Sequence, residues 1–155
     1  MVRTHGCLDI RRPSDVVFDT VADERTAYDP SVIHAEKLTS GPLGVGTRFR
    51  SVLQGRRAPV ETIVTITGYD RPHRLRTTTS ATGVEIASDM TFSQIPDGTR
   101  IRWSCVVRPH GALRLLGPML RLVTDRQTTA AWRALKDQLE RVDHPAERSV
   151  EKAWR

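Results

Sequence analysis

The sequence predicts an α+β protein with seven strands in an antiparallel sheet, two short helices after the first strand, and a long C-terminal helix. Three observations predict it. Residues 2–10 alternate in polarity and lead into a helix start. From 32 to 109, threonine, valine and isoleucine are frequent, and turn residues recur about every ten positions. From 112 to 142, apolar residues step by three or four, which marks one face of a helix. A chain of 155 residues fits one domain. We take it as 1–143, with 144–155 a charged, flexible tail.

The first strand places Val2, Thr4, Gly6, Leu8 and Ile10 on one face, and Arg3, His5, Cys7 and Asp9 on the other. In RRPSDVVFDTVAD, Ser14 or Pro13 opens a helix, with Asp15 favoured in its first turn. Val17, Phe18 and Val21 form its apolar stripe. The polar stretch DERTAYDPS has room for one more helical turn before Pro30. Strands are expected near 32–39, 46–54, 59–68, 74–80, 84–93 and 99–108. The short connections GPLG, QGRRAP, YDRPH, ATG and PDG suit hairpins, hence antiparallel pairing.

One sheet face collects Val45, Phe49, Leu53, Val60, Val64, Ile66, Leu75, Val84, Ile86, Met90, Phe92, Ile101, Trp103, Cys105 and Val107. The other collects Arg48, Arg50, Glu61, Arg74, Arg76, Glu85, Asp89, Arg100 and Arg102. With consecutive strands as neighbours, basic and acidic strands alternate, so a solvated salt-bridge ladder accounts for the arginines. The helical stripe runs Leu116, Leu120, Val123, Gln127, Ala131, Leu135, Leu139 and Val142, with Pro118 in the first turn or at a kink. Its basic, apolar start, residues 112–123, reads first as a buried helix, then as a dimer contact or a peripheral membrane contact.

A net charge of +6 permits anionic partners without requiring any, and no specific nucleic acid is expected. Cys7 and Cys105 form no C-x-x-C pair. There is no signal core and no transmembrane stretch. A cytoplasmic protein, monomer or homodimer, is the expectation. GPLGVGTR, residues 41–48, has the glycine spacing of a phosphate loop, but Thr47 stands where lysine belongs, and two strands flank it. Its glycines read as turn and bulge residues near the mouth of a cavity, with Leu43 and Val45 as apolar cover.

IRRPSDVVFDTVADERTAYDPSV, EKLTSGPLGVGTRFR, and ITGYDRPHRLRTTT followed by GTRIRWSCVVRP and the long helix together resemble the START/polyketide-cyclase superfamily (SRPBCC, Bet v 1-like) over residues 2–142. Tyr28 stands where that family often has tryptophan. The resemblance implies a helix-grip fold, a curved sheet wrapped around the C-terminal helix, with a cavity between them. Such cavities bind lipids, polyketides or other apolar molecules, and some members are cyclases or dehydratases.

The residues agree with a cavity. Thr124, Gln127, Thr128 and Ala131 stand where a filled core would carry leucine, and Thr47, Thr62, Thr77, Thr79 and Ser88 dot the apolar sheet face. The expected lining is Phe49, Val64, Met90, Phe92, Trp103, Val123, Gln127, Thr128 and Ala131, with Tyr28 near the mouth. His34 and Glu36 share a strand parity, so an inward acid–base pair, with Tyr28 as donor, is the catalytic candidate. An exposed pair on an edge strand is the plainer reading. No metal spacing occurs among the histidines and no cofactor is expected. The expected function is non-catalytic binding or transport of a small, largely apolar molecule; the alternative is a polyketide or aromatic-ring cyclase or dehydratase in the same cavity.

Overall fold

The computed structural model describes residues 2–26, 28–55 and 57–142; the side chains of Thr26, Pro118, Leu120, Arg121, Val123, Thr124 and Val142 lie outside that description. The expected tail, 144–155, also lies outside it. Strand β1 (Val2–Ile10) is followed by helix α1 (Ser14–Ala22) and a single 3-10 turn (Glu24–Thr26). Six strands follow: β2 (Val32–Lys37), β3 (Arg48–Leu53), β4 (Val60–Asp70), β5 (Arg74–Ala81), β6 (Val84–Ile95) and β7 (Gly98–Pro109). A 3-10 segment (Gly111–Leu116) then leads into helix α2 (Gly117–Val142).

The sheet order is β1-β7-β6-β5-β4-β3-β2, and every neighbouring pair is antiparallel. The sheet is curved and does not close. Hairpins link β3 through β7 in sequence, β1 pairs with β7 at one edge, and the chain passes through α1 from β1 to β2, which forms the opposite edge. Register sets the inner face. Phe49, Val64, Thr79, Ile86, Val107 and Val2 follow one another across six strands, and Tyr69, Leu75, Met90, Trp103 and Gly6 form a second such row.

Helix α1 seals one end of the inner face. Val17, Phe18 and Val21 are buried there. The Phe18 ring meets Phe92 edge-on at 5.1 Å and Tyr69 at 5.2 Å. Pro13 is its N-cap, and Ser14 makes no cap bond; its hydroxyl instead donates to Gln94 Oε1 on β6 at 2.8 Å, which ties the helix to the sheet.

The outer face carries the salt-bridge ladder. Arg50 bridges Glu36 at 3.1 Å and Glu61 at 2.9 Å, Arg74 and Arg76 meet Asp89, Arg100 meets Asp9, and Arg108 meets Glu85. The arginines hold the carboxyls of Asp89, Asp9 and Glu61 below the usual range.

Along α2, burial falls toward the N-terminal end. Leu139, Leu135 and Trp132 are buried, Ala131 and Thr128 half-buried, and Gln127 exposed. The segment before and at the start of the helix departs from the expected buried stripe: Leu115 is 87% exposed, and Leu116, Met119 and Leu122 are exposed too. Helix α2 packs against β1, and its core contacts are Trp132, Leu135 and Leu139.

The GPLGVGTR stretch is a turn between β2 and β3. Gly46, at φ 92°, adopts the left-handed backbone that glycine accepts most readily, and its N–H donates to Ile66 O at 2.9 Å. Leu43 packs against the core, whereas Val45 is 70% exposed.

Candidate functional site

Between the sheet and α2 lies a cavity of about 260 Å³. The sheet contributes Leu53, Leu75, Thr77, Thr79, Ile86, Ser88, Met90 and Cys105; α2 contributes Gln127, Thr128, Ala131 and Trp132. Val21, Glu24, Tyr28 and Asp29 close it from the α1 side. A second lobe of about 170 Å³ reaches toward β2 and β3 and is bordered by Val32, Ser51, Thr62 and Val64. Glu24, Tyr28, Asp29, Leu53 and Thr79 border both lobes, so they stand at the junction.

The space exists because short polar side chains occupy inward positions. Thr77 faces Ser88 across β5–β6, and Ser88 faces Cys105 across β6–β7, with Oγ and Sγ 3.4 Å apart. Threonine and serine on a pleated inner face leave volume that leucine would fill. Burial, only partly offset by Ser88, pushes the Cys105 thiol up.

Three aromatic rings stack beside the cavity, and two of them, Tyr28 and Trp132, border it. Trp132 stacks on Trp103 of β7 at 4.8 Å and on Tyr28 at 6.3 Å. Trp103 can lie flat across β1 because residue 6 is glycine: a Cβ there would fall within 2.6 Å of the indole Cε2. Burial, then the carboxyls of Glu24 and Asp29, pushes the Tyr28 phenol up, so the group stays a neutral donor.

Glu24 stands at the junction beside Tyr28 and Asp29. Burial first, then Asp29 and Asp23, pushes its carboxyl up to about 7. Asp29 is otherwise occupied: Oδ1 accepts from Ser31 N at 2.9 Å and from Ser31 Oγ at 2.7 Å.

Of the residues expected to line the cavity, Tyr28, Met90, Gln127, Thr128 and Ala131 border the larger lobe, and Val64 and Tyr28 border the smaller. Phe49 and Phe92 border neither; both are buried in the core, Phe92 against Phe18. Trp103 stands one ring behind the wall, covered by Trp132. The Val123 side chain lies outside the described residues. Residues 41–48 border neither lobe, because β3 presents Ser51 and Leu53 to the cavity while its Arg48 end and the turn before it lie away.

His34 and Glu36 do not enter the cavity. Ala35 pairs with the inward Ser51, so its two neighbours point outward. They are exposed, 4.0 Å apart, and Glu36 accepts from Arg50. Sequence reasoning missed Glu24, Asp29 and Trp132. The first two sit in DERTAYDPS, where an acidic pair flanking an aromatic was the available signal. Trp132 keeps helical spacing with Thr128, Leu135 and Leu139, and the expected stripe, which shares Leu135 and Leu139, passed through the adjacent Ala131 instead. Among the described residues, no group of three His, Cys, Asp or Glu side chains is placed to hold a metal ion. No helix among them is long and apolar enough to cross a membrane.

A sheet gripping a helix around a partly polar cavity defines the START/polyketide-cyclase ligand-binding fold. The chain belongs to the polyketide cyclase/dehydrase and lipid transport family, which matches residues 1–140. It is similar in fold to a START superfamily protein from Mycobacterium smegmatis (TM-score 0.76, 12% identity, 90% of this chain and 98% of that one). The Zhui aromatase/cyclase from Streptomyces sp. R1128 is similar as well (TM-score 0.73, 16% identity, 94% and 97%). So is a protein from Thermus thermophilus, TTHA0849 (TM-score 0.76, 16% identity, 91% and 99%). No curated protein matches the chain.

Proposed function

We propose that the protein binds a small, largely apolar molecule between its sheet and α2 and holds or transports it without altering it. One observation carries this reading: an unfilled volume of about 260 Å³, walled by Leu75, Ile86, Met90 and Trp132, with hydroxyls at intervals. Packed interiors rarely leave such space, and a few placed polar groups on an apolar wall are what a ligand site requires. The thinning cover of α2 toward Gln127 supports a mouth at that end.

Native mass spectrometry of the purified protein tests the proposal. The expected spectrum contains the protein with a small molecule attached, released intact in organic solvent. A bare protein mass, together with no binding of a naphthalene-type apolar probe, would overturn it.

One observation favours a second reading, cyclase or dehydratase chemistry. Glu24, held near neutrality at about 7, borders the same cavity as the Tyr28 phenol, and a carboxyl so poised suits proton transfer. The released molecule separates the two: recovery unchanged after incubation supports carriage, whereas loss of water or ring closure supports the enzyme.

A further inference from the structure

The cavity is electrostatically one-sided. Glu24 and Asp29 border both lobes, and among the described residues no lysine, arginine or histidine borders either. Asp29 spends its Oδ1 on Ser31, whereas Glu24 has no hydrogen bond or ion pair among the described residues. A second group in the smaller lobe is also unpartnered. Ser51 is only 2% exposed, and its Oγ has no hydrogen bond. Thr62, facing it, donates to the Ser51 carbonyl at 3.4 Å and not to the hydroxyl.

Buried polar groups are ordinarily satisfied, and an unmade bond there is costly. An ionised carboxylate can only accept, and a serine hydroxyl accepts as well as donates. A molecule that brings an N–H or O–H group to this junction satisfies Glu24 and can reach Ser51. One that brings a carboxylate or phosphate sets like charges together in a poorly solvated space. The net charge of +6 acts against this only at long range: the outer-face arginines sit in water beside Asp and Glu partners, where screening is strong. At contact distance the carboxyls decide.

We infer that the cavity selects, among small apolar molecules, those whose polar end is a hydrogen-bond donor, a protonated amine first and a hydroxyl second, and rejects those ending in a carboxylate or phosphate; the inference rests on the ligand-binding reading above. Glu24 reads the donor at the junction, and Ser51 offers a second contact in the smaller lobe. The carboxyls of Asp29 and Asp23 act on Glu24 and favour an incoming cation, while the Tyr28 phenol and the Cys105 thiol, the other ionisable groups of the lining, are both pushed up and stay neutral.

Calorimetric titration at pH 8 with four probes of one ring system tests this: naphthalene, 2-naphthol, 2-naphthylmethylamine and 2-naphthoate. The amine is expected to bind about tenfold or more tighter than the naphthoate, with naphthol between them. Glu24→Gln is expected to remove most of that gap. Should that variant not fold, the wild-type pH series keeps the test: amine affinity is expected to rise relative to naphthol as Glu24 ionises, through about 7. Equal affinity for all four probes, or naphthoate binding best, overturns this inference and leaves apolar binding standing. Binding of none of them removes the ligand-binding reading itself, and this inference with it.

Discussion

Trp103 on β7 and Trp132 on α2 stack with ring centroids 4.8 Å apart and planes 21° from parallel. The pair joins the sheet to the helix at the height of the cavity, and it depends on the absence of a side chain at Gly6. What lies on β1 thus decides how closely α2 can approach β7.

Gly6→Ala places a methyl inside the Trp103 ring, so the indole must move and the stack with Trp132 must open. The backbone of a β-strand accepts alanine readily, so the loss comes from overpacking, about 1–3 kcal/mol. Urea unfolding followed by circular dichroism should show a lower midpoint with an unchanged slope. An unaltered midpoint would mean that the ring has room to spare.

Trp132→Ala removes a buried indole that touches two other rings, with an expected loss of about 3–5 kcal/mol. Trp132→Phe keeps a ring there and should lose clearly less. Because Trp132 borders the cavity, the alanine variant should also accept a bulkier probe than the wild type does. If alanine and phenylalanine variants unfold at the same denaturant concentration, the stack is not a stabilising contact.

Glu24 gives stability a distinctive pH dependence. Its folded-state pKa, about 7, lies above the usual value of 4.5, so the folded protein holds this proton more tightly than the unfolded chain does. The stabilisation is full below pH 4.5 and is lost as pH rises through about 7. Glu24→Gln cannot titrate, so its stability relative to wild type should climb between those values and level off above about pH 8. The carboxyls of Asp9, Asp23 and Asp89, held low by arginines, act in the opposite sense in more acid solution and cancel in the comparison. Parallel curves for the two proteins from pH 5 to 8 would contradict the placement of Glu24.

Arg50→Gln and His34→Gln should leave ligand affinity unchanged, since both side chains lie on the outer face. Exposed ion pairs contribute little, so the unfolding midpoint of Arg50→Gln should shift less than that of Gly6→Ala, and least in high salt. A clear loss of probe binding in either variant would show coupling through the sheet.

Much of the architecture was legible because strand polarity repeats every two residues and β-hairpins fix register locally. Arg50 with Glu61, Arg74 with Asp89 and Arg100 with Asp9 follow from counting along adjacent strands. Depth was not legible in the same way. Phe49, Phe92 and Met90 share the inward parity and all three are buried in one cluster, yet only Met90 borders the cavity. The α2 stripe named Ala131, which borders the cavity, and left out Trp132, one residue and about 100° further around the helix, which borders it too. Glu24 was hidden for another reason. A polar stretch between a helix and a strand reads as solvated turn, and only the packing of the 3-10 turn over the sheet brings a carboxyl inward. His34 and Glu36 show the converse: a shared parity says that two side chains point the same way, not which way.

The ring sequence Tyr28, Trp132, Trp103 has an optical consequence. Excitation of the phenol can pass to the neighbouring indole, and the two indoles are close enough to share it. Of the two indoles, Trp132 is the one that borders the empty volume. A molecule entering there replaces water beside the emitting ring, moving the emission toward the blue or quenching it. The wall that would hold the guest therefore also works as a built-in gauge of occupancy, readable without a label.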